Sequence, residues 1–430
     1  MSGTTRDGSA VPSPRQTRRI GLSLGADICW PLCYERILAR LAPRFQYQGA
    51  SVEIAVDRVP IEPFSLTTPS RWDVVLDRLT HWYPHRREWI KKAILMDDLY
   101  VLNNPWSLQS MEKHTTYAAM TRLGLPIPET WLIPPKSYEP VPDLRETLHA
   151  YGRLFDVGKV GEEIGFPVFM KPYDGGGWKG VSHAGHAAEL RQRYESSGTS
   201  VMHVQKAVDG FDLFVRCVGI GPQTRLVKYD PSAPLHDRYT MQTDFVDDEN
   251  ASTLRDMTLT INAFFGWDFN SCEALRRDDV WYPIDFANAC PDSQVTSLHF
   301  HFSWLVLAKL RWSLFCAVTQ RPMRRTLNWD PFFAIARDED RPWREKLSAY
   351  AAIAHDRFQT EAFEAFCDEH LGELDEVAFE FFASADAEDA IRRKVTALYP
   401  AHEVEAFTHL FFQRVQHGRT PPSPRTRAPQ

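Results

Sequence analysis

The stretch GFPVFMKPYDGGGWKG, residues 165–180, sets the tightest limit on what this chain can fold into. A short apolar run over residues 166–170 reads as a strand that delivers Lys171. The chain then breaks into Asp174, Gly175, Gly176, Gly177, Trp178, Lys179 and Gly180, and an apolar run resumes at Val181. Two strands and a glycine loop make a hairpin. Three adjacent glycines can turn backbone N–H groups toward an anion with no side chain in the way, and Lys171 and Lys179 add positive charge. The natural occupant is a polyphosphate. The spacing is neither the phosphate loop G-x-x-x-x-G-K-[ST] nor the G-x-G-x-x-G of a dinucleotide fold. Taken alone, the cluster fits an ordinary surface turn equally well.

With 430 residues, 43% of them hydrophobic and 12% aromatic, the chain can bury a large core and is expected to hold two or three domains. Forty-nine basic against 56 acidic residues leave a net charge of −7, so no overall basic field recruits nucleic acid and none is expected as a partner. Seven cysteines form an odd set without a zinc pattern, and Cys29 and Cys33 miss the C-x-x-C spacing. Buried thiols in a reducing cytoplasm are the expectation. Residues 1–18 are polar with no apolar segment behind their charges, which reads as a disordered arm and not as a secretory signal. The most apolar long run, Phe302–Val318, is interrupted by Lys309 and Arg311. That pattern predicts a buried amphipathic helix and no membrane span.

In chain order, residues 19–24 read as a first strand, 34–41 as a helix and 52–56 as a second strand. Residues 72–76 make a third strand, 86–98 a helix and 100–102 a fourth strand, so a small open parallel sheet closes at Pro105. A helix over 107–123 carries Leu108, Met111, Ala118 and Met120 on one stripe and stops at Gly124. A lysine inside such a helix, here Lys113, is ordinarily solvated. A proline-rich connection and a helical piece near 144–154 lead to the hairpin, and a helix follows over 187–194. Residues 201–208, 213–219 and 225–229 are of strand length with short turns and predict an antiparallel meander. A helix over 254–265 ends at Gly266, and strands at 271–275 and 281–286 flank a charged turn. From Ser297 the pattern is helical nearly to the end, where a basic, proline-rich tail is expected to be disordered.

The late hairpin supplies what a polyphosphate needs. Glu273 lies on its first strand, Asp285 on its second and Asn288 three residues on, so three oxygen ligands reach one end of the sheet. Magnesium takes such hard ligands, keeps several waters and is usually held by one or two carboxylates together with phosphates. The bland alternative is an ordinary polar strand end, but a carboxylate among Pro283, Ile284, Phe286 and Ala287 needs a partner to offset its burial.

The order of Asn104, Lys113 and Gly124-Leu125-Pro126-Ile127-Pro128, then Phe166 to Pro172, Gly175 to Val181, Val204-Gln205-Lys206-Ala207-Val208-Asp209-Gly210, and finally Glu273, Asp285 and Asn288 resembles the ATP-grasp superfamily. It is most similar to the branch of glutathione synthetases and of the ligases that add glutamate to ribosomal protein, over residues 19–295. The resemblance implies ATP phosphates held by Lys113 and Lys171 under the loop of Gly175, Gly176, Gly177 and Lys179. It implies adenine bound along Gln205, Lys206 and Val208, with Asp212 nearby, and magnesium or manganese on Glu273, Asp285 and Asn288. Two departures stand out. The family's E-x-N pair becomes Asp285-Phe286-Ala287-Asn288, and its arginine two residues before the first metal ligand falls at Ser271. Arg216, Lys228 and Arg238 are the candidate catalytic cations, besides Lys171, for the γ-phosphate.

The implied fold is mixed α/β (α+β). It has an N-terminal parallel α/β domain at 19–105, an ATP-grasp domain at 106–296 with its glycine-loop subdomain at about 130–210, and a C-terminal antiparallel subdomain carrying the metal site. A helical region at 297–417 and a disordered tail at 418–430 complete it. The implied reaction joins a small-molecule or peptide carboxylate to an amine through an acyl phosphate, with homo-oligomerisation left open. Positioning and electrostatics carry such a reaction, and no side-chain nucleophile is needed. The alternatives are an ATP-grasp kinase acting on a hydroxyl and a nucleotide-binding protein without turnover. His183, His186, Cys290, His299 and His301 read as structural.

Overall fold

Alternating apolar runs and helical stripes give a mixed α/β fold that has, among the described residues, one mostly parallel sheet, two antiparallel sheets and a helical C-terminal region. The computed structural model describes residues 15–80, 83–107, 112–173, 179–288 and 290–419. The chain forms two compact units by residue contact. One comprises Met1–Leu102, Ser293–Met323 and Glu361–Gln430, and the other comprises Asn103–Asp292 and Arg324–Thr360.

The first unit begins with β1 (Arg15–Ser23), α1 (Cys29–Leu41), β2 (Arg44–Tyr47), β3 (Ala50–Arg58), β4 (Val74–Asp77), α2 (Pro84–Asp97) and β5 (Tyr100–Leu102). The strand order is β2-β3-β1-β4-β5, parallel except for β2, which pairs with β3 as an antiparallel edge. Strand β1 starts at Arg15, inside the arm expected to be disordered, because residues 15–18 pair with 51–54 of β3. The short hairpin strand β2 has too little alternation to be read from sequence. It follows from Gln48 and Gly49 both adopting positive φ, the geometry of a tight hairpin turn.

The second unit continues with α3 (Lys113–Arg122), β6 (Thr130–Ile133), α4 (Leu144–Tyr151), α5 (Val157–Ile164), β7 (Val168–Pro172), β8 (Ser182–Ala184), α6 (Ala187–Glu195) and β9 (Met202–Lys206). The expected hairpin exists as antiparallel β7 and β8, but its loop residues 174–178, with Gly175, Gly176 and Gly177, lie outside the described residues, as do 108–111 of the expected helix over 107–123. The sheet order is β6-β9-β7-β8. One face places Ile133, Val168, Met170, Met202 and Val204 against α5 and α6. Period-two alternation therefore leaves Lys171, His203 and Gln205 on the other face.

Next come β10 (Leu213–Ile220), β11 (Gln223–Lys228), α7 (Asp248–Phe265), β12 (Phe269–Arg277) and β13 (Val280–Asp285), forming a second antiparallel sheet in the order β11-β10-β12-β13. The meander expectation needs correction here. Strands β10 and β11 pair as foreseen, but β9 belongs to the other sheet, between β6 and β7. Helix α7 is capped by Asp247, whose carboxylate accepts the N–H of Asn250, and ends at Gly266 with φ of 68°.

The remaining helices are α8 (Val295–Leu298), α9 (Phe302–Val318), α10 (Asp330–Ala336), α11 (Trp343–Phe358), α12 (Thr360–His370), α13 (Leu374–Phe381), α14 (Ala385–Thr396) and α15 (Val404–His417). Helix α9 is not amphipathic. Every residue except Trp304 and Arg311 is buried, because it packs on β1 and β4 from one side and on α1 and α13 from others. Lys309 is accommodated inside by donating to Ser293 Oγ at 2.9 Å and lying 3.6 Å over the Trp30 ring. Gly418 and Arg419, at the start of the expected tail, are ordered, with Arg419 donating to the Phe379 carbonyl. Among the described residues no helix is long and apolar enough to cross a membrane.

Candidate functional site

Lys171 ends the run of apolar residues in β7, directly opposite His203 on β9, while Phe169 faces Gln205 and Gln205 faces Thr130 of β6. A relay of hydrogen bonds fixes the lysine. Its Nζ donates to Gln205 Oε1 at 2.7 Å, Gln205 Nε2 donates to Thr130 Oγ1 at 2.8 Å, and Thr130 Oγ1 donates to the Pro128 carbonyl at 2.7 Å. Burial pulls the Lys171 ammonium down to about 8. Lys206 turns away and donates to the carbonyls of Gly165 and Phe166 at 2.6 and 3.1 Å, fastening the bend that precedes β7. Val208 is buried in a cluster with Phe214 and Leu275. Lys179 is exposed just past the glycine loop.

On the second sheet, Arg216 of β10 is directly opposite Glu273 of β12, and Glu273 is opposite Asp285 of β13. The register slips between Glu273 and Ala274, a bulge that brings Asp285 beside Glu273. Lys113, at the start of α3, reaches the pair and donates to Asp285 Oδ1 at 2.7 Å. Burial raises Glu273 to about 7, helped by repulsion from Asp285 and opposed by Arg216, Lys113 and Lys171. Burial would also raise Asp285, but Lys113 and then Lys171 and Arg216 outweigh it and hold that carboxyl below its usual range. Three cations and two carboxylates thus share one pocket of interaction.

The donor chemistry suits magnesium. Two adjacent carboxylates offer hard oxygens, and the burial and mutual repulsion that lift Glu273 are what a divalent cation would offset. Among the described residues no group of three His, Cys, Asp or Glu is arranged to hold a metal, and a magnesium ion held by one or two carboxylates together with phosphate and water would not require one. Asn288 lies at the same end of the hairpin, its backbone N–H on Asn270 Oδ1 and its side-chain amide near the carbonyls of Asp285 and Ser271.

The other candidates separate. Lys228 is opposite Val215, on the sheet face that packs on α7, and donates to Gln242 at 2.9 Å. Arg238 is spent on its own loop, donating to the Ala233 carbonyl and Tyr229 hydroxyl. Asp212 forks with Arg276 at the far end of β10. Arg216 remains with the carboxylates, its Nε donating to Ser271 Oγ at 3.1 Å and its Nη1 to the Tyr239 hydroxyl. Sequence reasoning missed His114, Tyr117, His203 and Tyr239. His203 alone left a signal, as a polar residue inside the apolar run Val201, Met202, Val204. Its ring stacks on His114 with centroids 5.3 Å apart, and the Tyr117 hydroxyl donates to the Ile284 carbonyl at 2.6 Å.

The backbone is similar to that of ATP-grasp proteins. A RimK domain ATP-grasp protein from Sphaerobacter thermophilus matches at 17% identity and a TM-score of 0.42, over 62% of this chain and 90% of that one. D-alanine–D-alanine ligase from Bacillus anthracis, in complex with ATP, matches at 13% identity and a TM-score of 0.44, over 80% of this chain and 99% of the ligase. VanG, a D-Ala:D-Ser ligase from Enterococcus faecalis, matches at 12% identity and a TM-score of 0.42, over 79% and 100%. No protein-family model and no curated protein matches the sequence.

Proposed function

We propose that this chain is an ATP-grasp ligase that joins a carboxylate to an amine through an acyl phosphate, using Mg-ATP in the cytoplasm. The observation that carries the reading is the meeting of Lys113, Lys171 and Arg216 with the paired carboxylates Glu273 and Asp285. Lys113 and Lys171 bind phosphate oxygens, and the relay through Gln205 and Thr130 aims Lys171. Arg216 faces the γ-phosphate, its guanidinium reaching across to Ser271, where the resemblance leads one to look for an arginine. Glu273 and Asp285, with Asn288, hold magnesium or manganese, which when bound neutralises phosphate charge. A substrate carboxylate oxygen attacks the γ-phosphorus and ADP leaves. The amine then attacks the acyl carbon, phosphate leaves and the amine proton is released. Fixed charges aimed at the transferring group are the main catalytic device.

The test is an ADP-release screen against amino acids and small peptides, run with and without hydroxylamine. A hydroxamate formed with ADP supports the ligase. ADP without hydroxamate in the presence of a hydroxyl acceptor replaces it with the kinase reading, and ATP binding without ADP for any acceptor overturns turnover altogether.

A further inference from the structure

Behind the carboxylate pair, on the opposite face of the sheet, stands Asn270 of β12, with none of its surface exposed. Its Oδ1 accepts the backbone N–H of Asn288 at 3.0 Å. Its Nδ2 donates to the Phe286 carbonyl and to Asn262 Oδ1 on α7, both at 2.9 Å. The partners settle the amide's orientation, since only oxygen can accept the N–H and only nitrogen can donate to the carbonyl. Strand β13 stops at Asp285, so residues 286–288 have no ladder of their own. One side chain therefore ties both ends of that turn to the core.

The brace has a cost. Asn262 is also wholly buried, and its Nδ2 has no hydrogen-bond partner. A buried donor left without a partner is destabilising. The facing strand must be bare to admit it, because a Cβ on Gly219 would lie 2.5 Å from Asn262 Nδ2. A leucine of similar volume at position 262 would remove that donor, but it would leave one Nδ2 hydrogen of Asn270 without its acceptor. Packing alone gives no reason for the pair of asparagines, whereas a fixed backbone at 286–288 does.

We propose that Asn270, braced by Asn262, is a positioning residue that sets the 286–288 turn and so places Asn288 and Asp285 together for a metal-bound nucleotide. The proposal rests on the reading of the site given above. It is tested on the full chain with Asn262→Leu and Asn270→Ala, reading Tm, exchange of the Asn288 amide in metal-free protein, and calorimetric affinity for Mn·ADP. For Asn262→Leu, one unpaired N–H replaces another and Tm stays nearly level, while Asn288 exchange accelerates and Mn·ADP affinity falls about tenfold, the scale of losing an outer-shell partner. Asn270→Ala shows the larger effect on exchange. Wild-type exchange and wild-type affinity in Asn262→Leu, with only Tm lowered, overturn the proposal. If the unaltered protein fails to bind Mn·ADP, the nucleotide reading falls, and unchanged Asn288 exchange in both variants still overturns the anchoring by itself.

Discussion

His203 is fully buried with neither ring nitrogen hydrogen-bonded, which makes it a costly side chain for the second unit to keep. Burial, with repulsion from His114, Lys171 and Lys113, pulls it to about 3, so it stays neutral in the folded state. The unfolded chain binds a proton below about 6.5 while the folded chain does not. The sign is therefore destabilising as pH falls from about 6.5 toward 3, by about 2 kcal/mol at pH 5 for this group alone. His203→Phe keeps a ring to stack on His114 and removes the titration. Urea unfolding at pH 7 and pH 5 should show a smaller acid loss in the variant than in the natural chain, and equal losses would mean that His203 is solvated or paired. Lys171 carries the opposite consequence for binding. Its folded value of about 8 means that the ammonium is lost as pH rises past 8, so ATP affinity should decline through that window. Lys171→Met should bind ATP weakly at every pH, with that decline abolished, and charge-assisted contacts of about 1.5–3 kcal/mol set the size of the loss. Isothermal titration from pH 7 to pH 9.5 checks it.

The hairpin of β12 and β13 shows what one inserted residue does at the scale of an element. The bulge at Glu273 and Ala274 returns Asp285 to the site, where an undisturbed register would set it one residue out of phase and turn it to the other face. Local patterns made most strands and helices legible in the sequence, including β5 to the residue and the stop of α7 at Gly266. Partnership was not legible. Strand β9 looks like the start of a meander because adjacent strands usually pair, yet its apolar face fits Ile133 and Met170 on the sheet that carries Lys171. Which of Arg216, Lys228 and Arg238 lies with the carboxylates was equally hidden, since it depends on face and on a cross-strand diagonal to Ser271. Arg216→Leu would take away the largest of the positive charges that offset the burial of Glu273 beside Asp285, so the informative change is Arg216→Lys. Lysine keeps the charge but cannot span Ser271 and Tyr239 together. Turnover should fall about 10- to 100-fold with KM for ATP nearly unchanged, as one charge-assisted contact to the transferring phosphate is lost. Lys228→Ala should leave both constants as they are, and steady-state kinetics in which Lys228 proves the sensitive position would reverse the assignment.

At the scale of the whole molecule, the first unit is assembled from three separate stretches of chain, so its core cannot close until the last of them is made. The α1 face bearing Cys33, Tyr34 and Ile37 is covered by α9, α13 and α14, and Arg36 and Arg40 reach Asp389 and Asp386 beyond it. Removing residues from 361 onward would strip away Leu374, Phe381, Ile391, Val395 and Phe411, each exposed by no more than 1%. At roughly 1.5–3 kcal/mol for each large apolar side chain, the loss is on the order of 10 kcal/mol, as large as the whole stability of a typical domain. Exposed salt bridges at the rim contribute little beside it. The second unit loses no segment in that truncation, since its helices α10 and α11 end by Phe358. A chain stopped at residue 360 should therefore give calorimetric melting with one transition missing, exposed tryptophan fluorescence from Trp30, and proteolysis confined to the first unit. Deletion of residues 420–430 alone should leave Tm unchanged. Two intact transitions in the longer truncation would show that α1 and α9 close without the C-terminal helices, and would place the stability of the first unit in its sheet instead.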